Sequence, residues 1–206
     1  MSEQPQPPRS RLPGILATTA LIALIAYVTF NTLSSEHGSS TGPLAGEPMA
    51  QFAAPLVASS LEGDVNVIQR SGSGTVACDV KGARVLNSCQ LVANRPAALI
   101  FINDSDGRCA NALDDLVAAA RRFPKLNVAA IVIGGQRDAA RTLISDHRWR
   151  VPVAQDRDGA LANLYGVAVC PQIVYLRRGG VVDGVSVGDP SAAELQRRLT
   201  AISGVN

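Results

Sequence analysis

The stretch AALIFINDSDGRCANALDDL, residues 97–116, constrains the fold more than any other part of the chain. Residues 97–102 are apolar and uncharged, which marks a strand buried on both faces. Asn103, Asp104, Ser105, Asp106 and Gly107 then form a polar turn. From there apolar side chains recur at Cys109, Leu113, Leu116, Val117 and Ala120, the spacing of one helix face. Asp106 suits the N-cap of that helix, its carboxylate accepting the amide three positions on. A cysteine is thereby expected in the first turn of a helix that leaves a buried strand, where the helix dipole favours a thiolate.

Two segments ahead of this stretch bear on where the chain works. Residues 1–12 (MSEQPQPPRSRL) are a polar, Pro-rich tail with Arg9 and Arg11 just before residues 13–33, which carry no charge. The Leu-, Ile- and Ala-rich part between Ile15 and Phe30 is long enough to cross a bilayer, so 13–33 reads as a transmembrane signal anchor. A cleaved signal peptide is the alternative, but no A-x-A site follows the apolar run. Arg9 and Arg11 before the span, against Glu36 after it, put the N-terminus in the cytoplasm and the remainder outside, a single-pass arrangement at the cell membrane. Residues 34–48 (SSEHGSSTGPLAGEP) read as a flexible linker, which leaves 49–206 as the folded domain.

Charge and composition remove some functions. With 19 basic and 17 acidic residues the net charge is +2, and no basic stripe interleaves with the aromatics, which are 4% of the chain. Nucleic acid is not an expected partner. His37 and His147 are far apart and no Cys/His group has zinc spacing, so neither a metal nor another cofactor is expected.

The four cysteines, at 78, 89, 109 and 170, allow three pairings. Residues 76–80 and 84–86 read as short strands around a turn at Lys81 and Gly82, with Cys78 and Cys89 flanking it. Outside the cytoplasm, pairing of these two closes the smallest loop and makes a structural staple. Beyond the central helix, residues 127–133 (NVAAIVI) form a second buried strand and 137–149 an amphipathic helix. His147 and Trp149 at its end read as packing and capping residues. A short strand at 151–153, a turn at 156–159 and a helix over 160–165 follow. Two strands joined by Arg178, Gly179 and Gly180 form a hairpin, and 190–202 closes as a helix with Leu195, Leu199 and Ile202 inward. This order predicts a sheet covered on both faces.

Three segments resemble the thioredoxin-like superfamily, specifically membrane-anchored extracytoplasmic redoxin domains of the TlpA-like and AhpC/TSA kind. LIFINDSDGRC lies where the family has a strand and its W-C-x-x-C turn. QDRDGALANLYGVAVCPQIVYLRRGG is similar to the family's D-x-x-G-x-x-A-x-x-Y-G-V-x-x-x-P segment and the hairpin after it, and the last helix follows. The resemblance covers roughly residues 48–203 and implies a thioredoxin-like three-layer α/β/α sandwich. It departs at the turn, where Asp106 stands at the first, nucleophilic cysteine and Cys109 keeps the second, so ordinary dithiol exchange on a C-x-x-C pair is not available. The peroxiredoxin pattern P-x-x-x-T-x-x-C, read onto Cys109, finds Asp106 at its Thr position and Ile102 at its Pro position. The resemblance also implies that Pro171 is the family's cis-proline and that Cys170 before it faces the turn. Cys109 and Cys170 then form a couple, or else remain buried small apolar residues.

Three functions follow. The first is thiol–disulfide chemistry on exported proteins with thiols or disulfides, with Cys109 as the reactive thiol and Cys170 as its partner. The second is a redox-inactive thioredoxin-like binding module that uses the groove beside Pro171. The third is a one-cysteine peroxidase using Cys109.

Overall fold

The computed structural model describes residues 21–25, 42–66 and 75–204. The chain divides into two units, 1–37 and 38–206. In the first, residues 21–25 are helical with Leu21, Ile22, Leu24 and Ile25 exposed. The rest of the expected anchor lies outside the described residues, and among the described residues no helix is long and apolar enough to cross a membrane.

The second unit is built on a five-stranded sheet. In chain order its elements are β1 (Ala53–Pro55), a 3-10 turn (Ala77–Asp79), β2 (Val85–Asn87), α1 (Ser88–Val92), β3 (Ala97–Asn103), α2 (Gly107–Ala120) and β4 (Asn127–Ile133). Then come α3 (Arg137–His147), β5 (Val153–Asp156), α4 (Ala160–Leu164), β6 (Gln172–Leu176), β7 (Val182–Val187) and α5 (Ala192–Ser203). The strand order is β5-β4-β3-β6-β7. Strands β3, β4 and β5 run parallel, while β6 is antiparallel to both β3 and β7.

Period-two alternation between two buried faces explains why β3 is apolar from Ala97 to Ile102. Ala98, Ile100 and Ile102 pack with Leu113 and Leu116 of α2 and Leu195 and Leu199 of α5. Ala97, Leu99 and Phe101 point the other way, into a cluster with Phe52, Leu161 and Tyr165. Helices α2, α3 and α5 cover one face, and α1, α4 and the β1–β2 ribbon cover the other, giving three layers. This is the mixed α/β thioredoxin-like fold.

Local differences from the sequence reading have identifiable causes. Residues 76–80 form no hairpin with 84–86; the chain makes the 3-10 turn instead, and β2 pairs with β1. Asn87 is responsible, because its Nδ2 donates to the carbonyls of Ala77 at 2.9 Å and Val80 at 2.8 Å while its Oδ1 caps α1 at Gln90. Pro190 precedes the α5 N-cap, which is Ser191, whose Oγ accepts the Glu194 N–H. The end of the expected linker is docked: Gly46 N–H donates to Val182 O at 2.8 Å, and Val182 N–H donates to Glu47 O at 2.9 Å. The folded unit therefore includes residues from 42 on, and Gly42 is buried.

Asp114, on the solvent side of α2, ties that helix to the end of α3. Trp149 Nε1 donates to its Oδ1 at 2.6 Å, and His147 Nδ1 lies 2.7 Å from its Oδ2, with the two rings stacked. His147 and Trp149 thus have the packing role expected of them. Asp114→Ala leaves the indole N–H of a buried tryptophan without its acceptor, so a loss of about 1–3 kcal/mol is expected from denaturant midpoints. An unchanged midpoint would show that this link does not hold α2.

Candidate active site

The β3–α2 turn is fixed by its own polar side chains. Asn103 Oδ1 accepts the Asp106 N–H at 3.0 Å, and the Asp106 carbonyl accepts the Cys109 N–H at 3.0 Å. The Asp106 carboxylate caps α2, but on the amide two positions on, Arg108 N–H, at 2.9 Å. Arg108 Nη2 closes an ion pair with the same carboxylate at 3.0 Å. These two bonds, the guanidinium first, hold the Asp106 carboxyl below its ordinary pKa. Asp106 and Arg108 act on each other. What remains for Cys109 is the N-terminal end of a 14-residue helix.

Gly135, at the β4–α3 turn, holds this turn from the side. Its φ is +68°, and a Cβ there would run into the Asp104 carboxylate. Neither Asn103 nor Gly135 was marked in the sequence as part of the site. The Asn-x-x-Asp spacing at 103–106 was the local signal for the first, and the Gly134-Gly135 pair after an apolar strand for the second.

Across the turn, the peptide bond between Cys170 and Pro171 is cis. It precedes β6, whose register beside β3 sets Gln172 against Phe101. That pairing delivers Cys170 to the start of α2, and Cys109 and Cys170 are joined in a disulfide with Cα atoms 5.7 Å apart. Cys170 Sγ also lies 3.9 Å from the Phe101 carbonyl oxygen. The two sulfurs differ in surroundings. Cys109 has no exposed surface, whereas Cys170 is only half-buried and follows Val169, which is 49% exposed.

Cys78 and Cys89 form the second disulfide, with Cα atoms 5.5 Å apart. It joins the 3-10 turn to α1 rather than two strands of a hairpin, beside Met49 and Gly180. All four cysteines are paired.

On the β5 side of the sheet, buried Asp156 accepts amide N–H groups from Leu161 at 3.0 Å and Ala162 at 2.8 Å, and so starts α4. Burial raises its pKa, and the two amides oppose that rise. Gln172, directly after Pro171, donates Nε2 to Tyr165 O at 3.0 Å, while its buried Oε1 has no partner among the described residues. These groups tie α4 and its following loop to the cis-proline strand. The D-x-x-G-x-x-A-x-x-Y segment of the sequence therefore has a structural purpose in supporting the site.

The fold, with a cysteine at the start of the helix after β3 facing a cis-proline, is thioredoxin-like. Solved structures agree. A protein of Chlorobium tepidum assigned as the thiol:disulfide interchange protein DsbE superposes with a TM-score of 0.61 at 18% identity, over 78% of this chain and 99% of that one. A second thiol:disulfide interchange protein of the same organism, from the thioredoxin family, gives 0.58 at 15% identity over 79% and 99%. A secreted Mycobacterium tuberculosis disulfide oxidoreductase homologous to DsbE of E. coli gives 0.51 at 21% identity over 57% and 89%. At these identities the likeness is one of fold. No family model matches the sequence, and no curated protein is significantly similar to it.

Proposed function

We propose that this chain is a membrane-anchored thiol–disulfide oxidoreductase that works outside the cytoplasm, with Cys109 and Cys170 as its redox couple. The observation that carries the reading is the disulfide between them, set between a helix N-terminus and a cis-proline. In its disulfide form such a couple takes two electrons from a partner dithiol, and in its dithiol form it gives two to a partner disulfide, each through a mixed-disulfide intermediate. Replacing the family's first cysteine with Asp106 moves the couple from within one turn to between α2 and the strand β6, without removing the second sulfur that release requires.

The placement outside the cytoplasm rests on two features. All four cysteines are paired, which suits an oxidising compartment. The uncharged run at 13–33, preceded by Arg9 and Arg11, has the length of a signal anchor. Exported proteins carrying thiols or disulfides are the partners this chemistry selects. A one-cysteine peroxidase is a poorer match, because the Cys109 sulfur is enclosed and already has a partner.

The test is turnover in a glutathione-coupled disulfide reduction assay with the purified full chain. Wild type is expected to exceed a Cys109→Ser, Cys170→Ser double variant. Equal rates would remove the enzyme reading and leave the redox-inactive binding module.

A further inference from the structure

Resting on that reading, we infer that Cys170, and not Cys109, is the sulfur that exchanges with substrate, so that Cys109 is the leaving and resolving thiol. The C-x-x-C arrangement puts the attacked sulfur at the position Asp106 occupies here, on the helix side of the site. In this chain the attackable sulfur sits on the strand side. Disulfide exchange is an in-line displacement, so the incoming thiolate needs open access to one sulfur along the S–S axis. Cys109 has no exposed surface, being packed among Ala110, Leu113 and the inner face of β3, and this closes its sulfur to an incoming chain. Cys170 keeps part of its surface and is preceded by an exposed Val169.

Leaving-group chemistry points the same way. Cys109 is the third residue of α2, with its own N–H already bonded to the Asp106 carbonyl, and the helix N-terminus favours its thiolate. Asp106, three residues before Cys109 at the helix N-cap, is matched by Arg108, so its charge opposes that thiolate less than a lone carboxylate would. Cys170 has a carbonyl oxygen, that of Phe101, near its sulfur and no helix N-terminus. The better leaving thiolate is therefore the enclosed one, and the better target is the open one.

In the oxidising direction, a substrate thiolate attacks Cys170 Sγ. A bond forms between the two sulfurs, the bond to Cys109 breaks, and Cys109 departs as a thiolate. A second thiolate of the same substrate then attacks the substrate sulfur of the mixed disulfide. The substrate leaves as a disulfide and Cys170 as a thiolate. Two electrons pass from substrate dithiol to the couple, and the two protons the substrate released are matched by protonation of the two cysteines. In the reducing direction Cys170 attacks a substrate disulfide, and Cys109 resolves the mixed disulfide by attacking Cys170 Sγ.

Limited alkylation of the fully reduced wild-type chain with iodoacetamide, followed by peptide mapping, reads the order directly and needs no variant. Cys170 is expected to be labelled at least about tenfold faster than Cys109. With glutathione disulfide, Cys109→Ser is expected to accumulate a stable mixed disulfide on Cys170, while Cys170→Ser leaves Cys109 largely unmodified. Faster labelling of Cys109 in wild type, together with a mixed disulfide on Cys109 in Cys170→Ser, would overturn the assignment. If that result comes with wild-type turnover, only the order of the two sulfurs fails. If wild type shows no turnover and neither sulfur exchanges in the folded chain, the oxidoreductase reading fails and this inference with it.

Discussion

Cys170→Ser is expected to lower disulfide exchange to the uncatalysed level, a loss on the order of 100-fold or more, because the remaining thiol is enclosed and has no second sulfur to release a trapped partner. Asp106→Cys in that same background is the matching gain. Position 106 is partly exposed at the N-cap of α2 and three residues before Cys109, so the new thiol forms a C-x-x-C pair on the helix side of the site. Exchange is then expected to recover through Cys109 and the new cysteine, without any contribution from β6. Recovery in the double variant also shows that the first variant was folded. Full activity in Cys170→Ser alone would mean that the couple across α2 and β6 is not used. The Asp106→Cys change also removes the Arg108 ion pair, which is exposed and therefore a small cost to stability.

Reduction of the bond between Cys109 and Cys170 is expected to destabilise the domain more than reduction of the other disulfide. The two cysteines are 61 residues apart in sequence, and a cross-link of that span restricts the unfolded chain by about 4 kcal/mol. The bond between Cys78 and Cys89 spans only 11 residues, for about 3 kcal/mol. In a Cys78→Ser, Cys89→Ser background, reduction should lower the thermal midpoint by roughly 10 °C. In a Cys109→Ser, Cys170→Ser background the reductant should act less. If reduction leaves the first background unchanged, the bond between α2 and β6 contributes nothing to holding the sheet face closed. A redox enzyme with this property is more easily unfolded after each reducing event, and reoxidation restores its stability.

The sheet was legible from the sequence wherever burial was two-sided. Residues 97–102 and 128–133 are apolar at every position, and runs this short, rich in Ile and Val, suit a strand buried on both faces, so β3 and β4 fall where expected. The α2 cap was legible because Asp106 is a capping residue, although its carboxylate bonds Arg108 N–H and not the next amide. The region around Cys78 was not. Its alternation looks like a hairpin, but Asn87 offers two backbone carbonyls a side-chain donor, and β2 finds its ladder in β1, more than 30 residues earlier in the chain. The stretch 42–48, the described end of the expected linker, looked like a tether from composition alone. It docks because β7 has a free edge for the backbone of Gly46 and Glu47, and an edge is a property of topology that no local pattern reveals.

The candidate site divides in the same way. Cys109 at a helix start could be read from spacing. That Cys170 meets it depended on the resemblance, since the two are brought together by the antiparallel register of β6 on β3. Which sulfur faces outward was not legible at all. It depends on how α2 packs on β3, which encloses the residue that the sequence marked as the reactive one.

The central claim, that Cys109 and Cys170 form one reversible couple, is tested most directly by redox titration of the folded full chain. The chain is equilibrated in glutathione buffers across a range of poise and acid-quenched, and the oxidised fraction of each cysteine is quantified by differential alkylation. Cys109 and Cys170 are predicted to change state together in a single two-electron transition while the fold persists. Two results would contradict the account: a bond that stays oxidised until the chain unfolds, or transitions of Cys109 and Cys170 at separate poises.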